Sequence, residues 1–265
     1  FAQTHSCAPT NALSVTLVVT PACNFNCTYC DQALPFKTPM ADTDYAAVEA
    51  CIQNAVAEQK IHHINLNFFG GEPTLESSAI LKFTRRISTL CSHAGTDLFP
   101  GITTNGFLLG RDDLAARLCR NGILDYQITL DGPEALHDRL RQGLNGEKTH
   151  AAILQGLLAL KAQRQEGLKV TIRCNHTTKS IQPRHLDAFH DDLARHFAAD
   201  PRFRIYHHAA ADLGGTIDRS ALLPDKQKRG LMSRLKLESL ERGLFVKTDT
   251  TSPGGRVCYA ADKNA

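Results

Sequence analysis

Cys23, Cys27 and Cys30 fall at a C-x3-C-x2-C spacing in the stretch Pro21-Ala22-Cys23-Asn24-Phe25-Asn26-Cys27-Thr28-Tyr29-Cys30. Three cysteines on one short loop can turn their sulfurs toward a single small object. Thiolates select soft metals: zinc, copper(I) or an iron–sulfur cluster. Structural zinc takes four ligands, usually from paired C-x2-C units, and a cubane cluster usually takes four thiolates. Three ligands with no local fourth leave one iron of a cubane open to a group the protein does not supply. A zinc site and a loop of reduced thiols are the competing readings of the same residues.

Three later segments place polar or glycine-rich residues directly after apolar runs. In Phe69-Gly70-Gly71-Glu72-Pro73-Thr74-Leu75 two glycines let the backbone approach a ligand and offer it N–H and C=O groups. The plainer reading is a tight turn capped by Thr74. Ile102-Thr103-Thr104-Asn105-Gly106 ends in an Asn-Gly pair, which is also simply a good turn. Thr129-Leu130-Asp131-Gly132-Pro133 is followed by Leu136-His137-Asp138-Arg139-Leu140-Arg141. An arginine fork suits a carboxylate; otherwise Arg141 is a surface charge and Asp131 a turn former.

Taken together, these segments resemble the radical S-adenosylmethionine (radical SAM) enzymes, and their SPASM-type, peptide- and protein-modifying branch in particular. Tyr29 fills the aromatic slot before the last cysteine, and Phe25 a slot often apolar or aromatic. The resemblance implies a [4Fe-4S] cluster on Cys23, Cys27 and Cys30. It implies that Gly70, Gly71, Glu72 and Pro73 meet the methionine amino group of S-adenosylmethionine (SAM), and that Thr104 and Asn105 line the same cavity. Thr129 and Arg141, flanking Asp131, correspond to the residues that contact ribose and carboxylate. Thr129 stands where the family usually has Ser and keeps the hydroxyl. Pro253–Lys263 resembles the opening of a SPASM extension, with Cys258 as the first ligand of an auxiliary [4Fe-4S] cluster whose other ligands would lie past Ala265.

The reaction implied is reductive cleavage of SAM to a 5′-deoxyadenosyl radical and hydrogen abstraction from a peptide side chain. The first expectation is a cross-link in a ribosomally synthesised precursor peptide (a RiPP maturase). The alternative is an anaerobic sulfatase-maturating enzyme that makes formylglycine from Cys or Ser. Partners implied are the precursor peptide or sulfatase and an electron donor such as flavodoxin or ferredoxin. No residue beyond the cluster site is singled out as catalytic. From other classes, a non-catalytic zinc-binding adaptor and a structural SAM binder remain.

These residues must be positioned by the elements around them. Strands are expected at Ser14–Thr20, Ile64–Phe69, Leu98–Thr103, Asp125–Leu130, Lys169–Cys174 and Arg202–His207. Helices are expected at 42–58, 75–91, 112–120, 149–164, about 183–197 and about 224–242. The first has Tyr45, Val48, Ile52 and Val56 at three- and four-residue steps. Six βα units imply a parallel sheet with crossover helices. Alternation alone fits an open doubly wound sheet or a barrel; the family resemblance implies an α/β partial (β/α)6 TIM-like barrel, with its site at the C-terminal strand ends. The expected division is an N-terminal segment 1–13, a barrel 14–243, and 244–265 as linker and start of a cysteine-rich extension.

Hydrophobic content of 42% and charged content of 22% fit an ordinary globular protein. A net charge of +3 is too mild to argue for a nucleic-acid partner. No apolar run reaches the length of a membrane span, and no secretory signal opens the chain. Nine cysteines, an odd number, argue against a disulfide scaffold and for a reducing cytoplasmic setting. Both ends read as trimmed from a longer protein. Cys51, Cys91 and Cys119 are expected to behave as small hydrophobes in helices. Cys174 is expected near the cavity mouth or core, Cys7 is unassigned, and His207 and His208 read as solvated strand-end residues, with substrate contact as the alternative.

Overall fold

Val15, Leu17 and Val19 alternate with less buried neighbours, the pattern of a strand with one covered face, and they lie in β1 (Ala12–Thr20). The computed structural model describes residues 11–30, 38–59, 61–210 and 219–247, and the backbone of 256–259. After β1 come β2 (Phe25–Cys27), α1 (Asp42–Gln59), β3 (His63–Gly70), a 3-10 turn (Pro73–Glu76) and α2 (Ser77–Ala94). Next are β4 (Asp97–Thr104), α3 (Leu114–Arg120), β5 (Asp125–Thr129), α4 (Glu134–Leu140), β6 (Arg141–Gly143) and α5 (His150–Lys161). The chain closes with β7 (Lys169–His176), α6 (Pro183–Phe197), β8 (Phe203–Ala209), a 3-10 turn (Arg219–Ala221), α7 (Asp225–Glu241), β9 (Phe245–Val246) and β10 (Arg256–Tyr259).

The main sheet has the order β10-β1-β3-β4-β5-β7-β8-β9, every pair parallel. From β1 to β9 each strand lies beside the strand that precedes it in the winding. A doubly wound sheet reverses its order at a switch point. Right-handed crossovers without such a reversal leave all helices on one face, and that decides for the partial barrel. Phe68 packs edge-on against Phe83 of α2, Tyr126 meets the thiol of Cys119 in α3 at 3.3 Å, and His207 meets Ser239 of α7 at 2.9 Å. Residues one step along each strand, such as Asn67, Gln127, Thr129, Arg173 and Tyr206, therefore turn to the concave side.

The six expected strands are present within two residues at either end. The third expected helix starts at Leu114 rather than Asp112, because Asp112 and Asp113 have φ of 47° and 53°, outside the right-handed helix. The second, expected from Leu75, starts at Ser77 and is preceded by a 3-10 turn over Pro73–Glu76 that Pro73 opens. Among the described residues, no helix is long and apolar enough to cross a membrane. Cys7 lies outside the described residues.

Candidate functional site

The loop after β1 is fixed from two sides. A register shift between Val18 and Thr20 ends the β1–β3 ladder. Gly71 then donates its N–H to Thr20 O at 2.9 Å and Glu72 to Ala22 O at 2.8 Å. A Cβ on Gly70 would fall 2.3 Å from Thr20 O, and one on Gly71 2.4 Å from both Pro21 O and Ala22 O. The two glycines thus let the end of β3 press against the cysteine loop itself. Gly70 also has φ of 144°, which side chains rarely adopt.

On the other side β2 pairs antiparallel with β6, which sets Cys27 opposite Arg141. Leu144 N–H to Asn24 O and Thr28 N–H to Leu140 O extend the pairing. The Phe25 N–H donates to Cys23 Sγ at 3.4 Å, a bond suited to a sulfur carrying negative charge. Burial pushes the Cys27 thiol up to about 11, with Arg141 opposing, and raises Cys23 as well. Metal binding would therefore have to displace protons. Cys30 is exposed. Among the described residues, no three His, Cys, Asp or Glu side chains converge on one point as they stand. Cys30 adds to the upward push on both Cys23 and Cys27, and Cys23 to that on Cys27, each less than burial does.

Glu72 is fully buried and faces inward. Oε1 accepts from Thr74 N–H at 2.9 Å, Thr74 Oγ1–H and Thr104 Oγ1–H at 2.6 Å, while Oε2 accepts from Asn105 N–H at 2.6 Å. Burial raises its pKa, and these four donors work against that. The carboxylate is a strut joining the end of β3 to the end of β4. Asn105 continues it to the cysteine loop, donating from Nδ2 to Asn24 Oδ1 at 2.7 Å. Thr104 likewise accepts the Gly106 N–H at 3.0 Å. Pro73 is buried at the start of the 3-10 turn.

The last group closes over the loop. Tyr29 donates its hydroxyl proton to Asp131 Oδ2 and accepts from Arg141 Nη1 at 2.9 Å. Asp131 Oδ1 accepts the Asn175 N–H at 2.7 Å, and Asn175 Nδ2 reaches Tyr29 at 3.3 Å. Burial raises Asp131, and Arg141, Tyr29, Asn175 and Arg173 draw it back. Burial also works against the charge on Arg141, but Tyr29, Cys27 and Asp131 outweigh it and the guanidinium stays charged. It lies 5.6 Å from the ring of Phe25. Its Nε is buried without a hydrogen-bond partner among the described residues. Thr129, half-buried at the end of β5, faces the same concavity.

His137 and Asp138 explain how Arg141 arrives there. His137 Nδ1 accepts the Asp131 N–H at 3.0 Å, which puts its own proton on Nε2, where Thr149 Oγ1 accepts it at 3.2 Å. Burial lowers its pKa and keeps it neutral. Asp138 Oδ1 accepts the N–H groups of Thr149 and His150, both at 2.9 Å, and so caps α5.

The structure thus gathers Cys23, Cys27, Cys30, Tyr29, Gly70, Gly71, Glu72, Thr104, Asn105, Thr129, Asp131 and Arg141 at the C-terminal strand ends. Asn175 and Arg173 belong with them, and sequence reasoning missed both, because the end of β7 carries no motif. His207 is buried against the helices, not solvated, and His208 accepts from Arg173 at 3.0 Å. Cys174 is buried in the core, whereas Cys51 is exposed, unlike Cys91 and Cys119. Cys258 lies in β10, where its backbone pairs with Val15; its side chain is outside the described residues.

Three soft donors, a sulfur already accepting an N–H, and an orphaned arginine Nε beside Cys27 fit an iron–sulfur cluster with an anionic, carboxylate-bearing ligand. The chain is similar to several known proteins. A serine-type anaerobic sulfatase-maturating enzyme of Klebsiella aerogenes is 32% identical over 139 residues, covering 52% of this chain and 34% of that protein. A GTP 3',8-cyclase of Actinobacillus pleuropneumoniae is 30% identical over 144 residues, covering 53% of this chain and 38% of that protein. The chain therefore matches only about a third of these relatives' lengths. In fold it is similar to anSMEcpe with bound AdoMet (TM-score 0.69, 21% identity, 89% of this chain and 63% of that one). It is also similar to Streptococcus suis SuiB bound to precursor peptide SuiA (TM-score 0.59, 14% identity, 89% and 49%). Residues 17–175 match the Radical SAM superfamily, and the chain belongs to that family.

Proposed function

We propose that this chain is the catalytic core of an enzyme that binds a [4Fe-4S] cluster on Cys23, Cys27 and Cys30, binds SAM beside it, and abstracts hydrogen from a side chain of a peptide or protein. The observation that supports it best is Arg141, fixed opposite Cys27 with an unsatisfied buried Nε. When bound, the cluster and SAM supply reductive cleavage of SAM and hydrogen-atom abstraction from an unactivated carbon. The protein's own share is positional. Gly70 and Gly71 seat the loop, Glu72 and Asn105 brace it, and Thr129 and Arg141 offer a hydroxyl and a cation to SAM. Tyr29 and Asp131 hold the guanidinium in place and close the loop over the strand ends. An electron donor such as flavodoxin or ferredoxin completes the reaction.

Two products fit this reading. A cross-link in a precursor peptide is the first, supported by the fold likeness to SuiB bound to its precursor peptide; formylglycine on a sulfatase is the second, supported equally by the 32% identity to a sulfatase-maturating enzyme. The test uses the full-length protein, loaded with iron without oxygen, reduced, and given SAM with peptides encoded beside its gene. Release of 5′-deoxyadenosine, lost when Cys23, Cys27 or Cys30 becomes Ala, is expected; retained release in any of these variants refutes the assignment. A colourless protein holding one zinc refutes it too. Both products can arise with loss of two hydrogens, so a hydrazide probe is needed: labelling marks the aldehyde, and its absence marks a cross-link.

A further inference from the structure

Among the described residues of the concave face beside the cofactor site, Arg173, Arg204 and Lys247 lie close together on β7, on β8 and just past the end of β9. Along β8, Phe203, Ile205 and His207 are buried toward the helices, so Arg204, Tyr206 and His208 face the inside. Arg173 stands in register with Tyr206 on the neighbouring strand, its Cζ 5.9 Å from the ring centre. On the opposite flank Lys247 N–H bonds Ile205 O at 2.8 Å, continuing the β8–β9 ladder, and Lys247 Nζ lies 5.8 Å from the same ring. One tyrosine ring therefore has a cation on each side, with Arg204 one pleat below.

Nothing among the described residues neutralises this set. Arg173 donates from Nε to Asn175 Oδ1 at 2.9 Å and from Nη2 to His208 Nδ1 at 3.0 Å, both uncharged acceptors. Asp131 feels the field of Arg173, but its oxygens already accept from Asn175 and Tyr29, with Arg141 alongside. Arg204 and Lys247 form no ion pair with a described carboxylate. Cation–π contacts hold long side chains in place without cancelling their charge. Through Asn175, which touches Tyr29 and Asp131, the wall is continuous with the cofactor site.

We propose that Arg173, Arg204 and Lys247 form an anion-recognising wall of the substrate trough, and that the peptide acted on carries Asp or Glu side chains that dock against it. The proposal rests on reading the chain as a peptide-modifying enzyme and names a property of that substrate. Charge complementarity of this kind sets specificity and encounter rate, and salt weakens it.

Anisotropy on the full-length, iron-loaded protein with SAM tests it with two labelled peptides of equal length, one alternating Glu and Gly, the other Gln and Gly. The Glu peptide is expected to bind about tenfold more tightly at low salt and to lose that advantage near ~0.5 M salt. Arg204→Glu/Lys247→Glu should abolish the preference, Arg204→Ala/Lys247→Ala should reduce it, and Arg195→Glu on the outer face of α6 should keep it. Equal binding of the two peptides overturns the proposal, as does a preference that survives the double reversal. Displacement of the Glu peptide by GTP at far lower concentration than by unlabelled Glu peptide also overturns it, assigning the wall to a nucleotide. Release of 5′-deoxyadenosine by the unaltered protein is read in parallel. Release without a Glu preference removes the wall alone, and a Glu preference without release removes the radical reading alone.

Discussion

Glu72 and Gly71 sit side by side in the chain, yet what each contributes can be separated by substitution. The Glu72 carboxylate accepts four hydrogen bonds with no exposed surface. Glu72→Gln turns one of its oxygens into a donor facing donors, and leaving a buried polar group unmatched costs about 1–3 kcal/mol. A urea midpoint unchanged from wild type would contradict the strut. Gly71→Ala acts by contact, because its new Cβ meets two backbone oxygens of the cysteine loop at 2.4 Å. We expect iron content after anaerobic loading to fall severalfold while far-UV circular dichroism stays the same. Full loading would show that the loop yields easily. The motif Gly70-Gly71-Glu72-Pro73 was visible in the sequence, but its close partner was not. Glycines after a strand announce a close approach without saying whether a ligand or another stretch of chain makes it.

At the scale of elements, the segment between β5 and α5 matters most, and it was the least legible. Helix α4 has seven residues, and β2 and β6 three each. Elements that short are too brief for periodicity to reveal. Their order comes instead from His137, Asp138 and Thr149, whose side chains tie the segment to Asp131 and to the start of α5. Asp138→Ala removes the acceptor of two N–H groups at the α5 N-terminus, and caps of this kind contribute about 1 kcal/mol. The same change loosens the connection that carries Arg141, so weaker SAM binding by calorimetry should accompany the lost stability. Lost stability with unchanged SAM affinity would confine Asp138 to capping. Gly230 offers the opposite case: exposed inside α7 with nothing within 4 Å of a Cβ. Gly230→Ala should add about 1 kcal/mol in thermal unfolding by relieving glycine's helix penalty.

Across the whole molecule, three buried imidazoles link the sheet to its helices. His176 Nε2 and His207 Nδ1 are 2.9 Å apart, and the His190 ring lies 5.3 Å from that of His207. Burial lowers His176 to about 3, His190 to about 4 and His207 to about 2. The unfolded chain takes up these protons below ~6.5, whereas the folded chain refuses them until the lowered values are reached. Stability is therefore full above that pH and falls as pH drops from ~6.5 toward 4, by ~1.4 kcal/mol per pH unit for each histidine. Glu72 and Asp131, raised by burial, act with the opposite sign at the acid end. The difference between wild type and His207→Gln isolates the imidazole contribution. The variant's urea midpoint should fall less steeply between pH 7 and pH 5; parallel slopes would exclude His207 as a contributor.

The sequence by itself determined the three-cysteine loop, the motifs at successive strand ends and the six βα units, because these depend on local spacing and on short-range periodicity. The tertiary structure alone decided that the strands wind in one direction, that the paired glycines face the chain, and that Glu72 turns inward. It also placed Asn175 beside Tyr29 across 146 positions and set Arg173 and Lys247 on either side of Tyr206. Those relations are made by strand register and by the alternation of faces across a parallel sheet. They join residues far apart in the chain, where no spacing rule reaches.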